Sequence, residues 1–493
     1  MRADVVRQVL FMCAVRHFRL WLYLAFLSAS TLFFLWLFGA YNRAPKSIDL
    51  KQIGAHVAVL RSDIPVELQQ YCQFLELPIN GDEGEMPQTE LRLRAVAVMT
   101  RHGERSPMLS TKERPQRDCP LYGTLYQQEF TKYRKFVSSR KFEELVKVDR
   151  KFAPMAEFPQ DDKCRPAQLT IQGAVKMFKM AEFLKEKYQR WNFLDDCSAS
   201  LTCNVSLWST EYSRTYQSAI AFVYGFLLKD NVAAELLAPV RLSASPSTHF
   251  CRHKWCQCNR KLNYFRKGFE SERLQYLQQE ATAKFHRLFR KISQQILNLP
   301  EIKDAIPLFD VLMGGYVCRR QPLPCGGNSY TKELCVEFLD AVELFHFIQH
   351  RSIKLNQSPS LKRLSVAESA PVLTELAEIG DLLQRSDKTV FFRLFSAHDI
   401  SLRPMLYTLG LWDGKIPHYN SRLVFEFYQR RAQDGGVFVK VLFNGRDVTP
   451  SLSFCKQLEQ FGHYGLCRFS DFSQFASKDL YGIVQSRSLE DLC

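Results

Sequence analysis

The sequence predicts an α/β fold, a sandwich of helices around a sheet, and three observations carry that prediction. Apolar runs with strand character alternate with amphipathic helical segments. Several of these runs end abruptly in charged residues, as strands do when they deliver side chains to a site at their C-terminal ends. The composition of the 493 residues, 46% hydrophobic and 24% charged, is globular and excludes a disordered or collagen-like chain.

The N-terminus stands apart from this pattern. "LWLYLAFLSASTLFFLWLFGAY", 20–41, carries no charge and is long enough to cross a hydrocarbon core of about 30 Å at about 1.5 Å per residue. Arg2, Arg7, Arg16 and Arg19 precede it and Arg43 and Lys46 follow, a bias that keeps the first 19 residues in the cytoplasm. A cleaved signal peptide has a shorter apolar region, so the run reads as an uncleaved type II anchor. Of 15 cysteines only Cys13 precedes it, leaving an even number for the oxidising side. "CRHKWCQC", 251–258, fits an oxidised loop better than a metal knot. Asn204-Val205-Ser206 and Asn356-Gln357-Ser358 are N-glycosylation sequons, which fit the same compartment. The net charge of +15 suits an acidic glycan or a phosphorylated substrate, since a secretory location makes nucleic acid an unsuitable partner.

Residues 42–88 lack sustained periodicity and read as a stem. "LRLRAVAVMT", 91–100, alternates and then turns fully apolar, a buried strand that delivers "RHGERSP" into a loop. "LTIQGAVKMFKMAEFLKEKYQR", 169–190, is an amphipathic helix. "TCNVSLWST" is a short strand, followed by the helix "SRTYQSAIAFVYGFLL" with Ser213 as a candidate N-cap. From 231 to 387 long helical segments with Cys- and Gly-bearing loops suggest an inserted, mainly helical cap, including "EATAKFHRLFRKISQQIL" and "KELCVEFLDAVELFHFIQH". "KTVFFRLFSAHD" returns to a strand. "SRLVFEFYQRR" and "GVFVKVLFNGRDV" then form a hairpin. The α/β core is thus expected at 89–230 and 388–493.

Three polar clusters fall at strand ends or the following helix starts: Arg101, His102 and Arg105; Arg214; and His398 with Asp399. An oxyanion with three charged oxygens requires such a convergence. The planar fork of arginine bonds phosphate oxygens in pairs and stays charged at any relevant pH, so the three arginines suit a permanent clamp. A neutral imidazole can attack phosphorus, and His102 lies between two of the arginines. Departure of an alkoxide from phosphorus needs a proton, which Asp399 can supply if protonated beside bound phosphate. Taken singly, Arg214 could equally be a salt-bridge partner, and "SAHD" a capping aspartate beside a core histidine. The spacing Arg-His-Gly-x-Arg-x-Pro is far more specific.

"TRHGERSP", "QLTIQG", "SRTYQSA" and "SAHD", in this order, resemble the histidine acid phosphatases, a branch of the phosphoglycerate-mutase-like fold. The resemblance runs from about Arg94 to the C-terminal region. It implies a phosphoglycerate-mutase-like three-layer sandwich, His102 as nucleophile, Arg101, Arg105, Arg214 and His398 as phosphate ligands, Asp399 as proton donor, and no cofactor or metal. The anchor, "CRHKWCQC", "SRLVFEFYQ" and "VLFNGRDVT" resemble Golgi members that act on phosphorylated xylose in the glycosaminoglycan-protein linkage region. That implies a lumenal phosphomonoesterase on a Golgi membrane, with a proteoglycan as its partner. Glu104 and Ser213 stand where the wider family often has Asp, which leaves the substrate less determined than the reaction. The alternatives are a broad acid phosphatase, or an inactive protein that binds a glycan or a glycosyltransferase.

Overall fold

The computed structural model describes residues 64–493 except 110–123, 161–164, 194–202, 229–238, 247–249, 251–257, 277–280, 303, 327–333, 356, 386–388 and 433–434. All described elements belong to the unit Val59–Cys493. The expected tail, the apolar run 20–41 and the first part of the expected stem lie outside the described residues. Among the described residues no helix is long and apolar enough to cross a membrane.

The chain forms a mixed α/β fold around a large sheet. Its strands are β1 (Leu91–Arg101), β2 (Val146–Val148), β3 (Cys203–Thr210), β4 (Val240–Ser245), β5 (Val390–Ala397), β6 (Arg422–Arg430), β7 (Val437–Phe443), β8 (Arg446–Asp447), β9 (Leu458–Phe461) and β10 (Tyr464–Arg468). The order across the sheet is β9-β10-β7-β6-β1-β5-β3-β4-β2, with β8 on β7. From β1 to β2 every neighbouring pair is parallel, and from β1 to β9 every pair is antiparallel. The expected hairpin is the antiparallel pair β6 and β7. Arg101 is in register with Ala397 across β1 and β5, and Ser209 with Ser396 across β3 and β5. The three strands therefore end at one level, and the residues that follow them meet.

Helices cover both faces. Side chains alternate along a strand, so β1 sends Val96 and Val98 to one face and Ala95, Ala97 and Met99 to the other. The first face packs on α1 (Ile171–Gln189) and α2 (Ser213–Val223) through Ala174, Phe178 and Ile220. Thr170 caps the longer helix by accepting from Gly173 N at 3.0 Å. The second face packs on α3 (Pro359–Arg385) and α4 (Asp399–Thr408) through Val366, Leu376, Leu402 and Met405. A third cluster joins Leu68, Tyr71 and Phe74 to Phe285, Leu308, Phe309, Leu344 and Tyr419.

Three expected boundaries shift. From Ile64 the expected stem is part of the folded unit: its helix Val66–Cys72 is packed in the third cluster and tied to Cys318 by a disulfide. The expected cap 231–387 begins with a sheet strand, β4, and ends with α3, which lies on the sheet, because helical periodicity does not say which surface a helix will cover. The segment "KELCVEFLDAVELFHFIQH" becomes helical only from Phe338; Leu334 and Cys335 pair with Gly326 and Cys325 as a short ribbon. Further disulfides join Cys258 to Cys493, Cys325 to Cys335 and Cys455 to Cys467.

Candidate active site

The six expected site residues converge at the C-terminal ends of β1, β5 and β3. Arg101 is the last residue of β1. His102 follows at once, held by donation of its backbone N–H to Ala397 O at 2.9 Å, across to the end of β5. His398 and Asp399 come directly after β5, and Arg214 lies in the first turn of α2, just after β3. Tyr212, not Ser213, occupies the N-cap position of that helix, and its side chain makes no capping bond.

The loop after β1 is held by a close approach to α1. A Cβ on Gly103 would lie 2.4 Å from Gly173 O, and one on Gly173 would lie 2.2 Å from Glu104 O. Only glycine fits at either place, which gives the glycines of "RHGER" and "TIQGA" one shared cause. Gly103 N donates to Ser218 Oγ at 3.1 Å, and Ser218 Oγ donates to Arg214 O at 2.7 Å, so the loop is also fastened to α2. Glu104 is buried against the Thr170 hydroxyl, and burial raises its pKa. It braces the loop from beneath.

His102 is buried, and its Nδ1–H donates to Gly103 O at 2.8 Å. With the ring neutral, this bond leaves the lone pair on Nε2. Burial, followed by the charges of Arg214 and Arg101, holds its pKa well below the usual 6.5. Its ring lies 5.5 Å from that of His398, centroid to centroid, at 74°. His398 accepts from Arg214 Nη2 at 3.4 Å through Nδ1 and donates to Thr210 Oγ1 at 2.9 Å through Nε2. Burial and then Arg214 push its pKa down to about 3. Both rings are therefore uncharged at neutral pH.

The cations are less completely partnered. Arg101 donates to Pro417 O at 2.6 Å and Tyr71 Oη at 3.2 Å, and its guanidinium lies over the Tyr419 ring at 4.3 Å. Arg105 is paired with Asp310 at 2.8 Å. The Nε–H groups of Arg101, Arg105 and Arg214 are nevertheless buried with no hydrogen-bond partner in the described structure. Each unsatisfied buried donor costs about 1–3 kcal/mol, and native proteins seldom leave such groups orphaned without a reason. An anion among the three guanidiniums supplies one. Burial lowers the pKa of Arg214 to about 10, and repulsion from Arg105 adds to that effect.

Asp399 lies 4.0 Å from Arg101 Nε and 3.9 Å from Arg403. Burial raises its pKa, but the attraction of Arg101 and then Arg403 prevails and holds the carboxyl at about 2. Unit charges at this separation interact by about 4 kcal/mol at an effective dielectric of 20, enough to reverse a burial penalty. In the free site Asp399 is an anion. It can become an acid only when another anion takes over the arginines.

Four contributors escape the sequence reading. Tyr71 comes from the expected stem; Thr210 orients His398; Tyr419 stacks on Arg101. Asp310 anchors Arg105 and is the only charged residue in the helix "AIPLFDVL", Ala305–Leu312. A lone acid in an apolar helix was a usable signal. Among the sequons, Asn204 is exposed on β3, with Oδ1 accepting from Arg393 at 3.0 Å; Asn356 lies outside the described residues. Among the described residues no group of His, Cys, Asp and Glu is arranged to hold a metal ion.

Comparison with known proteins agrees with the family resemblance read from the sequence. Residues 92–306 match the histidine phosphatase superfamily (branch 2). The chain is 27% identical over 465 residues to 2-phosphoxylose phosphatase 1 of Danio rerio, covering 88% of this chain and 89% of that protein. To the Homo sapiens protein of the same name it is 26% identical over 432 residues, covering 85% and 84%. Among solved structures, the Bifidobacterium longum multiple inositol polyphosphate phosphatase in complex with phosphate aligns with a TM-score of 0.47 at 13% identity, covering 83% of this chain and 98% of that one. The Arg-His-Gly loop lies inside the matched segment: over residues 92–306 the chain is similar to the histidine phosphatase superfamily, and these similarities support a phosphatase.

Proposed function

We propose that this phosphatase removes the 2-phosphate from xylose in the glycosaminoglycan-protein linkage region, through a phosphohistidine on His102. The observation that carries the mechanism is the pairing of a neutral imidazole, with its Nε2 lone pair unspent, and three buried guanidiniums with unsatisfied Nε–H groups. Arg101, Arg105 and Arg214, with His398, bind the phosphoryl oxygens, and the preorganised charge stabilises the transition state. Nε2 of His102 attacks phosphorus and a P–N bond forms as the ester P–O bond breaks. The departing oxygen takes a proton from Asp399. Water then attacks the phosphohistidine, the P–N bond breaks, and phosphate leaves with the imidazole neutral again.

The proton on Asp399 needs a source, because the free carboxyl sits at about 2. A phosphate monoester below its second pKa of about 6 carries one. When its oxygens occupy the arginines, the cations that kept Asp399 ionised are compensated, and the proton passes to the carboxylate. Catalysis on a poor leaving group is thereby tied to acidic or near-neutral pH.

The substrate assignment is supported by the relatives named 2-phosphoxylose phosphatase, which align over most of the chain. The lumenal Golgi location, with a phosphoglycerate-mutase-like sandwich and helical cap beyond a type II anchor at 20–41, fits the disulfides and the sequons. A glycosyltransferase partner is consistent with work on a growing glycan. The test is released phosphate from a phosphoxylosyl linkage oligosaccharide beside an aryl phosphate. A kcat/KM higher on the oligosaccharide supports the assignment; a higher value on the aryl phosphate makes the protein a broad acid phosphatase.

A further inference from the structure

A cavity of about 540 Å³ adjoins the clamp without containing any of its charged groups. Small-molecule sites typically span about 300–1,000 Å³. Tyr71 and Pro417 line the cavity, and these two residues also accept the Arg101 hydrogen bonds at 3.2 and 2.6 Å. The space is therefore a neighbour of the phosphate site that shares a wall with it.

Its lining has a distinct chemistry. Four aromatic rings, Tyr71, Phe345, Trp412 and Phe443, stand beside the amides of Gln70, Gln349 and Asn444. The carboxylates are matched by bases: Glu67 bonds His346 at 2.9 Å, and Asp413 lies 3.7 Å from Lys415. Burial pushes His418 down to about 4, so that lining group is neutral at physiological pH. Arg446, exposed, is the lining cation outside these pairs. A multiply charged ligand finds little net field here. An uncharged ring with one apolar C–H face and several hydroxyls finds both aromatic surface and amide partners.

We propose that this cavity is a second carbohydrate site, which binds a neutral sugar unit carrying no phosphate. It rests on the reading that the substrate is a glycan, and it extends that reading beyond the phosphorylated residue. Trp412 supplies the stacking face and Gln349 a hydroxyl partner.

Ligand-observed saturation-transfer NMR on the full chain, with xylobiose and lactose as probes and saturating inorganic phosphate in the clamp, tests it. Transfer to a disaccharide should persist with phosphate bound. Its affinity should fall about five-fold on loss of an aromatic contact in Trp412→Ala, and measurably in Gln349→Ala, while kcat/KM for p-nitrophenyl phosphate stays within about two-fold. Absence of transfer to both sugars, its abolition by phosphate, or no change in both variants overturns the site. Neither probe carries phosphate, so this outcome is independent of whether the enzyme prefers xylose phosphate.

Discussion

Two buried polar clusters lie on the same sheet and differ in one respect. In the antiparallel half, Glu426 accepts from Gly84 N, Tyr188 Oη and Tyr428 Oη, while Lys440 donates to Asp82 O and Glu85 O. Beside them Arg422 is paired with Glu83 at 2.6 Å. Charge there is locally balanced and richly bonded. At the ends of the parallel strands, three arginines converge with Asp310 and Asp399 as nearby acids, and three guanidinium Nε–H groups remain unpartnered. The first cluster balances its charges within the protein and leaves one buried acceptor, Glu83 Oε2, without a hydrogen bond, whereas the second leaves three converging cationic donors open to an anion. Burial of charge alone does not mark a site; the convergence of several like charges with unspent donors does.

The comparison breaks most severely at the nucleophile. His102→Ala should remove turnover and leave the fold intact, as measured by phosphate release and thermal unfolding. Asp399→Asn should slow a sugar phosphate by about 10²–10⁴-fold, the usual worth of a positioned acid, and p-nitrophenyl phosphate far less, since a good leaving group hardly needs the proton. Equal losses on both substrates would remove Asp399 from that role. Arg214→Ala should cost about 10²–10³ in kcat, comparable to removal of one transition-state donor, with little loss of stability, because it relieves repulsion from Arg105. Glu426→Ala should do the reverse. Its loss leaves Lys440 without its compensating charge and should destabilise the fold by about 3–5 kcal/mol, while kcat per folded molecule is maintained.

The smallest expected effect is the pH profile. Burial and the neighbouring arginines hold His102 well below its usual 6.5 and His398 down to about 3, so no histidine deprotonation should raise activity as the pH passes through 6.5. Substrate that has lost its second phosphate proton, above about 6, cannot supply Asp399. For a sugar phosphate kcat/KM should therefore fall as pH rises through about 6, and less steeply for p-nitrophenyl phosphate. A rise through pH 6.5 would show that the imidazole is charged in the free enzyme.

Much of the clamp was legible because its residues follow strands whose apolar runs end at charged positions. Arg101 and His102 needed only that local pattern. Their meeting with Arg214 and His398 needed the parallel order β1-β5-β3 as well, which alternating strands and helices suggest but do not specify. Tyr71 was hidden because Asn42–Gln88 has no periodicity, and its helix is fixed by packing and the Cys72–Cys318 disulfide. Asp310 stands out as a lone acid in an apolar helix, but its partner is over 200 positions away in the chain, so the sequence does not say what it pairs with. The sheet-covering role of α3 escaped for a different reason: an amphipathic stripe shows that one face is buried and not what buries it.

The most direct test is to quench the enzyme during turnover of a radiolabelled phosphate monoester and map the trapped phosphoryl group by peptide. An acid-labile phosphohistidine at His102, absent from His102→Ala, is the result expected. Steady turnover with label on another residue, or with no phosphoenzyme while hydrolysis of the P–N bond is made rate-limiting, would contradict direct attack by this imidazole.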